Sequence, residues 1–271
     1  MIIELLNGTR YDIADYSLKR LFHFIPSANI VNSNYELEGR SDYITNGRLN
    51  NRVIRVELLY ITQDIYDYYL LRDELNNLLM RDEEFYIIFK REPNKRWLVR
   101  NNVQFEVPPN PHMQSFVVEF ITQNFYAESV GTSLDLQNRK EWDVDLWAWD
   151  NTIDWDTNYP YTFSGNQFIV NNFGNIVVDP RYAWLETEIR AHPTGPLTIT
   201  NTTTSDTYIY NGALTSSDTL LINGVRTLKN GVSDFANTNR QLLTLAVGTN
   251  NFIVNGGTIE SIQFRFRFLY K

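Results

Sequence analysis

Four Asn-Gly pairs, at 211–212, 223–224, 230–231 and 255–256, punctuate the last part of the chain. Asn-Gly is a preferred centre for a two-residue β-hairpin, because both positions must adopt positive φ. Between the pairs lie short strand-like runs, TYIY, TLLING, QLLTLAV and NNFIV. The chain ends in IQFRFRFLYK, where Phe264, Phe266 and Phe268 alternate with Arg265 and Arg267. One face of that strand is aromatic and the other basic. Short strands at roughly 8–12-residue spacing, separated by turns, predict a β-sandwich.

The first half reads as strands with one helix. NRVIRVELLY (51–60) places Ile54, Val56 and Leu58 on one parity and Val53, Arg55 and Glu57 on the other, as a half-buried strand does. Asp64 then stands where it can cap a helix by accepting a backbone N–H. Ile65, Tyr68, Tyr69, Leu75, Leu78 and Leu79 recur at three- and four-residue intervals, with Leu71 widening the face, and predict a helix over 64–80. FYIIFK (85–90) and RWLVRNNVQFEV (96–107) read as strands joined by a turn at Glu92-Pro93-Asn94. PPNPHM (108–113) must be extended loop, since its prolines lack donors and disfavour helix before them. QSFVVEFITQNF (114–125) is a further strand.

Composition removes several function classes. The chain has no cysteine, so disulfides, thiolate catalysis and zinc–thiolate sites are excluded. A net charge of −8 lacks the basic footprint of nucleic-acid binding. No apolar run approaches the ~18–20 residues of a membrane span, and the first residues do not have the pattern of a secretory signal. The three histidines, His23, His112 and His192, have no nucleophile elbow to serve, and phosphate-loop patterns are absent. The expectation is a non-enzymatic protein without cofactor or metal.

The charge is concentrated. Residues 1–140 carry 16 basic and 19 acidic side chains (−3), and residues 157–271 carry 8 and 7 (+1). EWDVDLWAWDNTIDWD (141–156) holds six acids, no base and four of the six tryptophans. A calcium loop fails here: counted from Asp154 the sixth position is Tyr159 and the twelfth Gly165, and counted from Asp143 the fifth is Trp147. Paired carboxylates for glycoside hydrolysis have no second partner legible in the sequence. Trp147 and Trp149, two residues apart, would share one face of a strand and could stack sugar rings or meet a protein partner. Exposing four tryptophans is costly, because each buries ~150–250 Å² when packed. The segment is therefore read first as a domain connector with anchoring tryptophans, and second as a glycan contact.

Several segments, in order, resemble the distal tail protein (Dit) family of long-tailed, non-contractile bacteriophages. They are FHFIPSANI (22–30), EGRSDYITNGRLNNRVIRVELLY (38–60), YLLRDELNNLL (69–79), FYIIFKREPNKRWLVR (85–100) and the junction NFYAESVGTS (124–133). FIVNNFGNIVVDPR (168–181), ITNTTTSDTYIYNG (199–212), NTNRQLL (237–243) and LAVGTNNFIVNG (245–256) continue the resemblance through the second half. It implies a mainly β protein: a ring-forming N-terminal domain with one α-helix over 1–133, an acidic Trp-rich connector over 134–158, and a galectin-like β-sandwich over 159–271. It further implies a homo-hexameric ring that joins the tail tube protein to the tail hub and offers a platform for receptor-binding proteins. Such a protein is assembled in the host cytoplasm and resides in the virion, with DNA passing through the ring's channel. The alternative is a sandwich module that itself contacts host cell-wall glycans, through Trp147 and Trp149.

Overall fold

A computed structural model describes residues 1–35, 43–110, 112–139, 146–147, 153–154 and 156–271. The chain divides into two compact units, Met1–Ala127 with Lys271, and Glu128–Tyr270.

The first unit contains β1 (Ile2–Leu5), β2 (Arg10–Asp12), β3 (Leu18–Phe24), β4 (Asn29–Tyr35), β5 (Tyr43–Asn50), β6 (Val53–Ile61), α1 (Ile65–Leu79), β7 (Phe85–Phe89), β8 (Glu92–Asn101) and β9 (Met113–Thr122). The main sheet is antiparallel with strand order β2-β1-β7-β8-β9-β6-β3, while β4 and β5 pair as a separate ribbon. Alternation fixes which face is inside. Ile54, Val56, Leu58 and Tyr60 of β6 are all fully buried, each apolar side chain contributing about 1.5–3 kcal/mol of burial. Asp64 caps α1 by accepting from the Tyr66 and Asp67 amides. Tyr68, Leu71, Leu75, Leu78 and Leu79 form its buried face. Tyr69 departs from the expected face and stands exposed, with the Arg72 guanidinium 5.2 Å from its ring.

The hairpin between β7 and β8 also departs from expectation. It turns at Lys90 and Arg91, and Pro93 lies inside β8. A register shift between Ile88 and Phe89 accommodates it, since a bulge frees a strand position from the donor that proline lacks.

The second unit contains β10 (Ala127–Ser129), α2 (Ser133–Gln137), β11 (Thr162–Phe163), β12 (Gln167–Asn172), β13 (Leu185–Asn201), β14 (Asp206–Tyr210), β15 (Leu220–Asn223), β16 (Arg226–Lys229), β17 (Val232–Ser233), β18 (Gly248–Phe266) and β19 (Leu269–Tyr270). Two long strands organise it: β13 and β18 pair antiparallel, with register shifts between Arg190 and Ala191 and between Pro193 and Thr198. Phe252 and Phe264 belong to the same strand, yet their ring centroids lie 5.0 Å apart. A straight strand would separate residues twelve apart by about 40 Å. The strand therefore bends back, and its halves form two facing layers.

The bend is built where no side chain fits. A Cβ on Gly256 (φ +85°) would sit 1.9 Å from the Pro196 carbonyl oxygen, and one on Gly257 would lie 2.6 Å from that of His192. The Asn-Gly pair at 255–256 thus serves as a corner in a continuous strand. Asn230 and Gly231, at φ 51° and 81°, form the expected two-residue turn between β16 and β17. At 223–224 the pair is offset: Asn223 ends β15, and Gly224 and Val225 make the turn. Asn211 instead donates its amide to the Asn237 carbonyl in a loop. QLLTLAV forms no strand, only an isolated bridge of Leu245 with Val178. The chain is mainly β in both units, with Phe168, Phe252, Phe264, Phe266 and Phe268 at the centre of the second unit's core.

Candidate assembly surface

Among the described residues, β3 is the last strand of the first unit's sheet and pairs only with β6 along the sheet order. Its sequence, LKRLFHF, is too apolar to be served by one buried face. A register shift between Arg20 and Phe22 places Leu21 as an extra residue, which turns the edge strand locally. Leu21, Phe22 and Phe24 are 45 %, 60 % and 52 % exposed, and Ile30 and Val31 at the start of β4 are exposed as well. An unpaired strand edge with apolar side chains is a template for another chain unless it is covered.

The strand is held from its other side. The His23 ring stacks on Phe89 at 4.0 Å and 21°, with the Arg20 guanidinium 5.6 Å from the same ring. Arg20 Nη1 donates to His23 Nδ1 at 2.5 Å, which requires that nitrogen to be unprotonated. Burial first, then the Arg20 charge, holds the His23 pKa below its ordinary value. The apolar residues of β3 thus face away from an ordered aromatic and cationic support.

A second apolar patch lies on α1. Tyr66, Tyr69 and Leu70 are exposed at helical spacing on the side opposite the buried leucines. The first unit therefore offers two different sticky surfaces, one on a strand edge and one on a helix. The sheet's opposite end, β2, carries Arg10, Tyr11 and Asp12 and is polar. Nearby, Glu4 is buried and receives Arg10 Nε and Arg96 Nη1, each at 2.6 Å, so that charge is satisfied internally.

Trp147 is fully buried in the second unit. Its ring packs edge-on against Phe268 at 5.7 Å and lies over Gly131, where any Cβ would come within 2.5 Å of it. It has no face free for a sugar ring, so the stacking expectation does not fit this residue. Trp149 lies outside the described residues. The junction segment explains the position of Trp147: Ser133 Oγ donates to the Phe264 carbonyl at 2.8 Å and accepts the Phe266 amide at 3.1 Å, and Ser129 Oγ accepts the Phe268 amide at 3.0 Å. The first and last residues of SVGTS are thus stitched to the Phe264–Phe268 segment, and Gly131 between them leaves room for the indole. Asp154, the start of one rejected calcium register, accepts from Thr157 Oγ1 at 2.6 Å and the Asp156 amide at 3.0 Å. Those bonds hold its pKa below the usual carboxylate value. No group of side chains suited to a metal ion occurs among the described residues.

The second unit also contains an open groove of about 740 Å³ between the 157–160 loop and the outward side chains of β12 and β18. Neither the groove nor the β3 patch was legible as a site in the sequence. The only signal for the patch was the density of apolar residues in LFHF, and the groove depends on the pairing of strands about eighty residues apart.

Residues 7–122 match the family described as phage tail protein RIFT-related domain. No curated protein gives a significant match. Among solved structures, the chain is similar to the Dit protein of SPP1, presented as a paradigm of the hub adsorption apparatus in phages that infect Gram-positive hosts. The similarity has a TM-score of 0.70 at 13% identity and covers 98% of both chains. A chain of the activated phage P2 baseplate is also similar, at TM-score 0.49 and 10% identity, over 98% of this chain and 97% of that one. The matched domain, over residues 7–122, is one of phage tail proteins. The fold of the whole chain is similar to that of the SPP1 Dit protein. Among the described residues, no helix is long and apolar enough to cross a membrane.

Proposed function

We propose that six copies close into a ring through the first unit and join the tail tube to the tail hub, with the second unit serving as a platform for receptor-binding proteins. The observation that carries this reading is the pair of unlike apolar patches on the first unit, the β3 edge and the outer face of α1. A ring requires heterologous contacts, in which each copy presents one surface to one neighbour and a different surface to the next. In the proposed contact, Leu21, Phe22 and Phe24 of one copy meet Tyr66, Tyr69 and Leu70 of the next. The similarity to the SPP1 hub protein supports the place of such a ring in the tail. We read the chain as non-enzymatic, in keeping with the structural proteins it resembles. Residues 134–158 are proposed as the connector, with α2 and Trp147 as its anchors in the second unit.

Two single-site variants test the contact. Phe22→Lys removes the strand patch and keeps the helix patch, and Leu70→Lys does the reverse. Each alone should fail to form the ring. An equimolar mixture should form heterodimers that stop growing, because only one complementary pair of surfaces remains. Rings formed by either variant alone would refute the assignment of the two surfaces.

A further inference from the structure

The groove of the second unit has an unusual lining for this chain. Charged residues make up 21% of the sequence, yet none of the described residues that line the groove is charged. Its floor follows from strand register: Gln167 of β12 lies opposite Ile253 of β18, and Ile169 lies opposite Asn251. Alternation points all four outward, and each is exposed. Amides and aliphatic side chains therefore alternate across the pair as a checkerboard. The side-chain amides of Gln167 and Asn251 make no hydrogen bond to other described residues, so both keep donors and acceptors to offer. One wall is aromatic. Tyr159 is half-buried, its ring 4.6 Å from that of Phe173, and its hydroxyl accepts from the Asp154 amide. Phe163 stacks on Phe168 at 4.6 Å and 16° beneath the groove.

We infer that this groove binds a neutral oligosaccharide. A sugar ring presents hydroxyls that both donate and accept, as amides require, and C–H faces that pack on aromatic and aliphatic surfaces. The absence of charge among the described lining residues disfavours phosphorylated, sulfated or carboxylated ligands, whose desolvated charge would lack a partner there. The volume falls in the range of small-ligand sites. This inference is independent of the ring: it concerns only the second unit, and Trp147 takes no part in it.

The test is a panel of immobilised neutral gluco-, galacto- and N-acetylglucosamine tetrasaccharides, with sulfated and sialylated counterparts, probed with the full chain. At least one neutral tetrasaccharide should be retained in preference to its anionic counterpart. The double variant Gln167→Ala/Asn251→Ala should weaken that binding by roughly tenfold or more, with an unchanged melting temperature and unchanged particle mass. Ile169→Lys should also weaken it, by placing a charge on the floor. Retention of no neutral member, preference for anionic members, or binding indifferent to these variants would overturn the proposal. So would a purified receptor-binding protein that occupies the groove while sugars do not.

Discussion

Two phenylalanine-rich strands of this protein have opposite fates. In FRFRF at the end of the chain, Phe264, Phe266 and Phe268 are fully buried among other aromatic rings. In LFHF of β3, Leu21, Phe22 and Phe24 are exposed, while the histidine between the phenylalanines stacks on Phe89. Both strands carry enough apolar surface to demand burial. The first finds its partner layer within its own unit, because β18 folds back upon itself. The second lies at the end of its sheet and, among the described residues, pairs with β6 alone. An aromatic strand is completed either by its own chain or by another molecule, and the contrast supports the proposed reading of one as core and the other as assembly surface.

Substitution should separate these roles most sharply at equivalent residues. Phe266→Ala should cost the second unit about 3–5 kcal/mol, read as a large fall in denaturation midpoint. Phe22→Ala should change the isolated chain's stability by no more than about 0.5 kcal/mol while weakening assembly. Equal destabilisation by the two would break the comparison.

Trp147 belongs with the core. Trp147→Ala should cost about 3–5 kcal/mol. Trp147→Phe should cost less, since the indole N–H has no hydrogen-bond partner among the described residues and its loss leaves nothing unpaired. Gly131→Ala should cost about 1–3 kcal/mol by forcing a methyl against that ring. Chemical denaturation of the three variants would rank them, and a Gly131→Ala protein as stable as the parent would contradict the packing described.

The smallest effect concerns the support beneath β3. Because the folded state holds the His23 pKa below its ordinary value, the unfolded chain binds the proton more readily. The stabilisation is complete above about pH 6.5, the ordinary histidine value, and is lost as pH falls below it. Denaturation midpoints between pH 7.5 and 5.5 should fall for the parent and fall less for His23→Phe. An unchanged slope in the variant would place the pH dependence elsewhere.

Local features were legible in the sequence because they are decided locally. The cap at Asp64, the alternation of β6 and the turn at Asn230-Gly231 depend on neighbouring residues alone. Four other features were not legible, each for its own reason. Gly256 looked like a hairpin centre, but Pro196 across the strand pair makes it a corner. β13 was concealed by Pro193 and Pro196, which a bend at that corner tolerates. Trp147 appeared available for stacking until Gly131 and Phe268 supplied a pocket from both sides in sequence. The exposed patch was the least legible, because apolar content reports the demand for burial and says nothing about which molecule meets it.

The central claim is that β3 is completed by a neighbouring copy in a closed ring. Its most direct test is particle mass in solution, measured with and without the adjoining tail proteins. The account predicts a mass of six chains in at least the presence of those partners, reduced to that of a single chain by Phe22→Lys. A chain that remains monomeric under both conditions, or a hexamer indifferent to Phe22→Lys, would contradict it.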